Sequence, residues 1–179
     1  MRRKNITIKD SIREYFFLNP ATKLRIRHIE KTMNLSLPSV IRYCKELKEE
    51  GILTTVKIGN VVFYTANRGG DKFLLEKKLF NIKQIYLSGI IGYLRRELGN
   101  PAVVLFGSYS RGEDTAESDI DLYVQTLSKK SINLRQYEKT LKRRIQIFRY
   151  KNIREVPNTH LANNIVNGIV VNGFIEVFG

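Results

Sequence analysis

The sequence predicts an α+β chain with two regions: three helices closed by a β-hairpin, then a small mixed sheet with flanking helices. Three observations carry this prediction. Apolar residues recur at helical spacing from Ile8 to Leu47, Gly59 and Asn60 separate a pair of strand-like runs, and apolar strand patterns near residues 103 and 120 alternate with helical ones. Arg68, Gly69, Gly70 and Asp71 punctuate the patterned regions and divide the chain into residues 1–70 and 71–179.

In the amino-terminal region, Ile8, Ile12, Tyr15 and Phe16 mark a helix that Asn19 and Pro20 end. Thr22 is placed to cap a second helix from Lys23 to Met33, followed by a turn at Asn34–Ser36. Pro38 suits the first turn of a third helix, which runs to Glu50 and stops at Gly51, with Val40, Cys44 and Leu47 as its buried stripe. Ile52–Val56 and Val61–Ala66 read as two hairpin strands.

This order of elements resembles a winged helix-turn-helix domain. With the third helix in a major groove, the residues that meet duplex DNA are Ser39, Arg42, Tyr43 and Lys45, joined by Lys57 of the hairpin. Arg42 suits a guanine edge, while Lys45 and Lys57 suit phosphate. Glu46, Glu49 and Glu50 make the end of that helix acidic, and winged helices also serve as docking or dimer modules, so a homodimer stays open beside DNA binding.

In the carboxy-terminal region, Lys72–Leu98 reads as helix, broken near Asn81 or at Ser88–Gly89, and its Leu74, Leu75, Leu79, Ile82, Ile85, Ile90, Ile91 and Leu94 are assigned to core. Val103–Phe106 is a buried strand that delivers Gly107 and Ser108 to a turn and a short helix. The next strand places Asp119, Asp121 and Tyr123 on one face and Ile120, Leu122 and Val124 on the other. Two carboxylates thus point the same way, which suits Mg²⁺, and the Gly-Ser turn offers backbone and hydroxyl donors to phosphate. A lone Asp-x-Asp is ordinarily a solvated strand edge; the ordered set of strand, Gly-Ser turn, helix and Asp-x-Asp strand is far more specific.

Gly107, Ser108, Arg111, Gly112, Glu113, Ser118, Asp119, Ile120 and Asp121 together resemble the signature of the minimal nucleotidyltransferases of the DNA polymerase beta superfamily. The resemblance implies a polymerase-beta-like fold and metal-dependent transfer of a nucleoside monophosphate from an NTP, ATP foremost, to an acceptor. It implies that Gly107 and Ser108, with Arg111 nearby, hold the triphosphate, and that Asp119 and Asp121 are the catalytic ligands of Mg²⁺ or Mn²⁺. It admits a protein acceptor, a HEPN-type toxin of a toxin–antitoxin pair included.

The family usually carries a third Asp or Glu between apolar residues of a later strand. A helix over Ser131–Lys142 and a strand over Arg143–Arg149 put Gln146 at that place. A second reading therefore stands beside the first: a DNA-binding transcriptional regulator whose nucleotidyltransferase-like domain binds nucleotide or mediates assembly with little catalysis. Glu113, Asp114 and Glu117 read as solvated loop charges, and His160 as a surface or packing residue. A last helix over Asn158–Asn167 ends at Gly168, before a β-rich stretch from Ile169 to Phe178.

Composition agrees with an anionic partner. The chain holds 31 basic and 17 acidic residues, a net +14, and residues 1–70 carry +8 of it. Cys44 is the single cysteine, which excludes an intramolecular disulfide and a cysteine metal cluster and fits a reducing interior. Arg2–Lys4 lead into polar residues, and no apolar run reaches the ~18 residues of a membrane helix, so a cytoplasmic protein without membrane contact is expected.

Overall fold

The computed structural model describes residues 7–177; Arg2–Lys4 and Phe178 lie outside them. The chain divides into two compact units, Met1–Lys77 and Lys78–Gly179.

The first unit begins with α1, Ile8–Leu18, capped by the Thr7 hydroxyl, which accepts from the Asp10 amide at 3.1 Å. Helix α2 spans Ile26–Met33 and so starts later than the expected Lys23. The reason is tertiary. Leu24 exchanges both backbone hydrogen bonds with Tyr64, at 2.9 and 2.8 Å, and this extended bridge takes the residues a Thr22 cap would have made helical. Helix α3 spans Leu37–Glu49 with Pro38 in its first turn. The Ile52 amide donates to the Leu47 carbonyl at 2.9 Å and the Gly51 amide to the Lys48 carbonyl at 3.0 Å, with Gly51 left-handed at φ 77°. That pair of bonds is a Schellman stop, whose left-handed residue is most often glycine.

Strands β1, Leu53–Ile58, and β2, Val61–Ala66, pair antiparallel around Gly59 at φ 59°. The first hairpin strand therefore reaches two residues beyond Val56. Ile12, Phe16, Ile29, Val40, Cys44 and Leu47 are fully buried where the apolar stripes of the three helices meet.

Helix α4, Asp71–Ser88, runs without a break past Asn81 and ends where Gly89 turns left-handed at φ 80°. Of its expected core residues, Ile85 is buried, whereas Leu75 and Leu79 are 52% and 57% exposed. Helix α5, Ile90–Leu98, buries Ile90, Ile91 and Leu94. There follow β3 (Ala102–Phe106), α6 (Gly107–Arg111), β4 (Ile120–Gln125), α7 (Arg135–Leu141), β5 (Ile145–Tyr150), a 3₁₀ turn (Ile153–Glu155), α8 (Thr159–Val166) and β6 (Ile169–Asn172).

Helix α7 starts at Arg135, not Ser131, because the preceding loop is held by side chains. The Asn133 amide donates to the Tyr93 hydroxyl at 2.9 Å, and the Asn133 side-chain oxygen accepts from the Arg135 amide at 3.1 Å. Lys142, left-handed at φ 54°, ends that helix and delays β5 to Ile145.

The four strands lie in the order β5-β4-β3-β6, with β4 and β5 parallel and the remaining pairs antiparallel. One face buries Val103, Leu105, Ile120, Leu122 and Val124 under α4, α5 and α7 residues such as Ile85, Leu94 and Leu141. The other buries Val104, Phe106 and Tyr123 with Ile153, Val156 and Ile165. Asp121 belongs to this second face, at its rim, by the two-residue period of β4.

Candidate active site

Two strand registers assemble the site. Phe106 of β3 pairs with Asp121 of β4, and Asp121 in turn pairs with Gln146 of β5. The chain leaves β3 at Gly107, which is left-handed at φ 73°, and a Cβ at that position would strike the Asp121 carboxylate. The Gly-Ser bend and the acid are thus in direct apposition. Glycine is required twice over, for its backbone angle and for its missing side chain. The Ser110 hydroxyl donates to the Gly107 carbonyl at 2.8 Å and ties the bend into α6, which also carries the half-buried Ser108.

Asp119 immediately precedes β4. The Ile120 amide donates to the Arg144 carbonyl at 2.8 Å, which extends the parallel register and sets Asp119 level with Arg144. Burial, and after it the charge of Asp119, pushes the Asp121 carboxyl above the usual carboxylate range. A partly desolvated acid beside a like charge is relieved by a cation. Two cavities meet at Asp119: one of about 430 Å³ reaches Ser118, Glu138, Lys142 and Arg144, and one of about 350 Å³ reaches Arg144 and Gln146.

The loop between bend and acids is anchored by a pair whose roles differ from those the sequence suggests. Asp114 is not solvated: it is 2% exposed and accepts from the Asn81 side-chain amide at 2.7 Å. The same Asn81 nitrogen donates to the Tyr109 carbonyl at 2.8 Å. Asn81 is therefore no helix break but the buried polar group that fastens α6 and the following loop to α4. Its signal in the sequence was an amide at four-residue spacing from Lys77 and Ile85, on the face of α4 that is buried. Glu138 also has a structural task, accepting from the Ile145 amide at 3.0 Å at the start of β5. Arg111 and Glu113 form an exposed ion pair at 2.8 Å.

The carboxylates of Asp119 and Asp121 suit one hard divalent cation, whose remaining positions water and substrate oxygens would complete; the two cavities open beside Asp119 and are not lined by Asp121 or the Gly107 bend. A pair of cations about 3.5–4 Å apart would need more negative charge than Asp119 and Asp121 supply, and Gln146 adds none. Among the described residues no three His, Cys, Asp or Glu side chains gather as a metal cluster.

In the first unit, the residues expected at DNA lie on α3 and the hairpin, but most are already engaged. Arg42 donates to Glu46 at 2.8 Å and lies 5.0 Å from the Tyr43 ring centroid. Lys45 faces Glu49 at 3.9 Å, and the Ser36 hydroxyl donates to the Ser39 oxygen at 2.8 Å. Lys57 is exposed on β1, across from Val62. No helix among the described residues is long and apolar enough to cross a membrane.

No curated protein and no solved structure matches the chain significantly. A family model described as Polymerase beta, Nucleotidyltransferase matches residues 88–172, a span that runs from the end of α4 through β6 and includes the bend, both acids and Gln146. Nucleotidyl transfer is the general chemistry of that family, and residues 88–172 are similar to its polymerase beta type of nucleotidyltransferase domain.

Proposed function

We propose that the second unit binds a nucleoside triphosphate together with Mg²⁺ or Mn²⁺ and transfers its nucleoside monophosphate to an acceptor hydroxyl. The observation that carries this reading is the packing of the Gly107 bend against the Asp121 carboxylate. A bound divalent cation supplies charge neutralisation for the phosphate oxygens. Asp119 and Asp121 hold it. Ser108 and the backbone at the bend receive the β- and γ-phosphates, and Arg111 exchanges its Glu113 partner for phosphate. The acceptor oxygen forms its bond to the α-phosphorus as the bond to the bridging oxygen breaks, and pyrophosphate leaves in line.

The acceptor hydroxyl must also lose a proton, and here Gln146 favours a second reading. An amide cannot act as general base, so the same site would bind nucleotide with little turnover and serve as a sensor or assembly module. The first unit, whose helices and hairpin resemble a winged helix-turn-helix, then provides contact with duplex DNA, and either reading places the protein in the cytoplasm. A protein acceptor, a HEPN-type toxin included, is compatible with the open cavities beside Asp119.

The deciding experiment incubates the protein with labelled ATP, GTP, CTP or UTP, Mg²⁺ and candidate protein and nucleic-acid acceptors, beside Asp119→Ala and Asp121→Ala. Label transfer lost in both variants supports the enzyme. Binding without transfer supports the sensor, and no binding of any nucleotide overturns both.

A further inference from the structure

We propose that the first unit grips the phosphate backbone of duplex DNA through a basic cleft between the start of α2 and the start of β2, and not through the cations of α3. This rests on the DNA-binding reading above and assigns it a surface. The cleft, about 460 Å³ in volume, is lined by Arg25, Arg27, His28 and Lys31 on one side and by Val61 and Val62 on the other. Arg25, Arg27 and Lys31 are all exposed.

Charge availability separates the two surfaces. On α3, Arg42 and Lys45 are paired with Glu46 and Glu49, and Glu46 is shared with Lys9 at 3.1 Å. A phosphate arriving there must displace carboxylates and then sit among them. At the cleft, Arg25, Arg27 and Lys31 have no carboxylate partner among the described residues, and Glu30, the one acid of α2, does not line the space. The Arg25 guanidinium lies 5.3 Å from the Phe63 ring centroid, a contact that orients the cation without neutralising it. Arg27 and Lys31 follow at i and i+4 on α2, about 6 Å apart along the helix axis. Three oriented or aligned cations suit a polyanion with regularly spaced charges.

The cleft also discriminates between nucleic-acid forms. Single strands are held largely by bases stacked on open aromatic faces. Phe63 is covered by Arg25, and the cleft lining contains no ring besides the His28 imidazole. Backbone contact to a duplex, which is largely independent of sequence, is what this chemistry provides.

The test measures fluorescence anisotropy of a mixed-sequence DNA duplex titrated with the full chain at several salt concentrations. Relative to wild type, the triple variant Arg25→Ala, Arg27→Ala, Lys31→Ala is expected to bind at least about tenfold more weakly, and its log K against log salt slope to flatten by about 2.7. Arg42→Ala with Lys45→Ala is expected to change the slope by less than about 1. A charge-keeping variant, Arg27→Lys with Lys31→Arg, should bind as wild type does, which separates loss of charge from loss of fold. The proposal is overturned by a wild type that does not bind the duplex, by an unchanged slope in the triple variant, or by a larger loss in the α3 variant. It is equally overturned if single-stranded DNA, polyglutamate or phosphatidylserine vesicles bind more tightly than the duplex. Nucleotide binding by the second unit is measured in the same variants and should be retained, so failure of the cleft and failure of the transferase reading register separately.

Discussion

Asp121 and Gln146 stand level with each other on the parallel strands β4 and β5, so an acid faces an amide where a second acid would complete a charged set. An amide offers oxygen without charge. Gln146→Asp would supply a carboxylate as base and ligand, and is expected to raise label transfer at least about tenfold, a floor below the roughly 100- to 10,000-fold typical of a positioned base. Mn²⁺ titration followed by electron paramagnetic resonance should show one bound ion per chain in the wild type and a second in the variant. Gln146→Ala should produce neither gain. An Asp variant with unchanged transfer and unchanged Mn²⁺ stoichiometry would remove the argument.

Gly107 is the least replaceable residue of the site. Gly107→Ala demands a left-handed alanine and drives its methyl into the Asp121 carboxylate. The backbone term alone costs roughly 1–2 kcal/mol. Nucleotide affinity measured by calorimetry should fall more than about tenfold, on the scale of 1.4 kcal/mol. Wild-type affinity in this variant would show that the bend does not shape the site.

The Asn81 anchor should be visible in stability and in the site together. Asn81→Leu removes the donor to buried Asp114 and to the Tyr109 carbonyl, a change expected to cost about 1–3 kcal/mol. In a chain of this size that lowers Tm by about 2–4 °C per kcal/mol. Thermal melts followed by circular dichroism would check it, and an unchanged Tm would mean the pair is not a fastening.

Asp121 links stability to pH in the direction opposite to a salt-bridged acid. Its carboxyl is held above the ordinary value of 3.8 by burial and by Asp119, so the folded state binds this proton more tightly than the unfolded one. Ionisation therefore costs stability as pH rises through that window, and the cost persists at neutral pH without a divalent cation. Metal-free Asp121→Asn should melt higher than wild type at pH 7, with the difference vanishing as pH falls towards 3.8. Adding Mg²⁺ should raise the wild-type Tm and leave that of the variant unmoved. A variant that melts lower at pH 7 would contradict the assignment.

Cys44 provides a check on the first unit's core. Fully buried between the helices, its thiol is pushed up to about 12 by desolvation. The thiolate is the reactive form, so alkylation of the native protein at pH 8 should run at least about 100-fold slower than that of an exposed thiol. Equal rates before and after denaturation would mean this core is open.

What was legible in the sequence is what local periodicity and backbone chemistry decide. The two-residue alternation at Asp119–Val124 puts two acids on one side of a strand whatever that strand packs against. Gly51, Gly59 and Gly107 mark turns that other residues adopt only with strain. The helix and strand patterns likewise announce three helices, a hairpin and a mixed sheet. Long-range choices were not legible, because each depends on which distant group offers the better partner once the chain is compact. Leu24 leaves a helix for a bridge to Tyr64, Asn81 holds Asp114 instead of breaking α4, and Leu75 and Leu79 stay exposed although their spacing suits a core. The pairs Arg42–Glu46 and Lys45–Glu49 follow from helical i,i+4 spacing alone, whereas the cleft that sets Arg25, Arg27 and Lys31 beside Val61 and Val62 exists only because the hairpin packs near the start of α2.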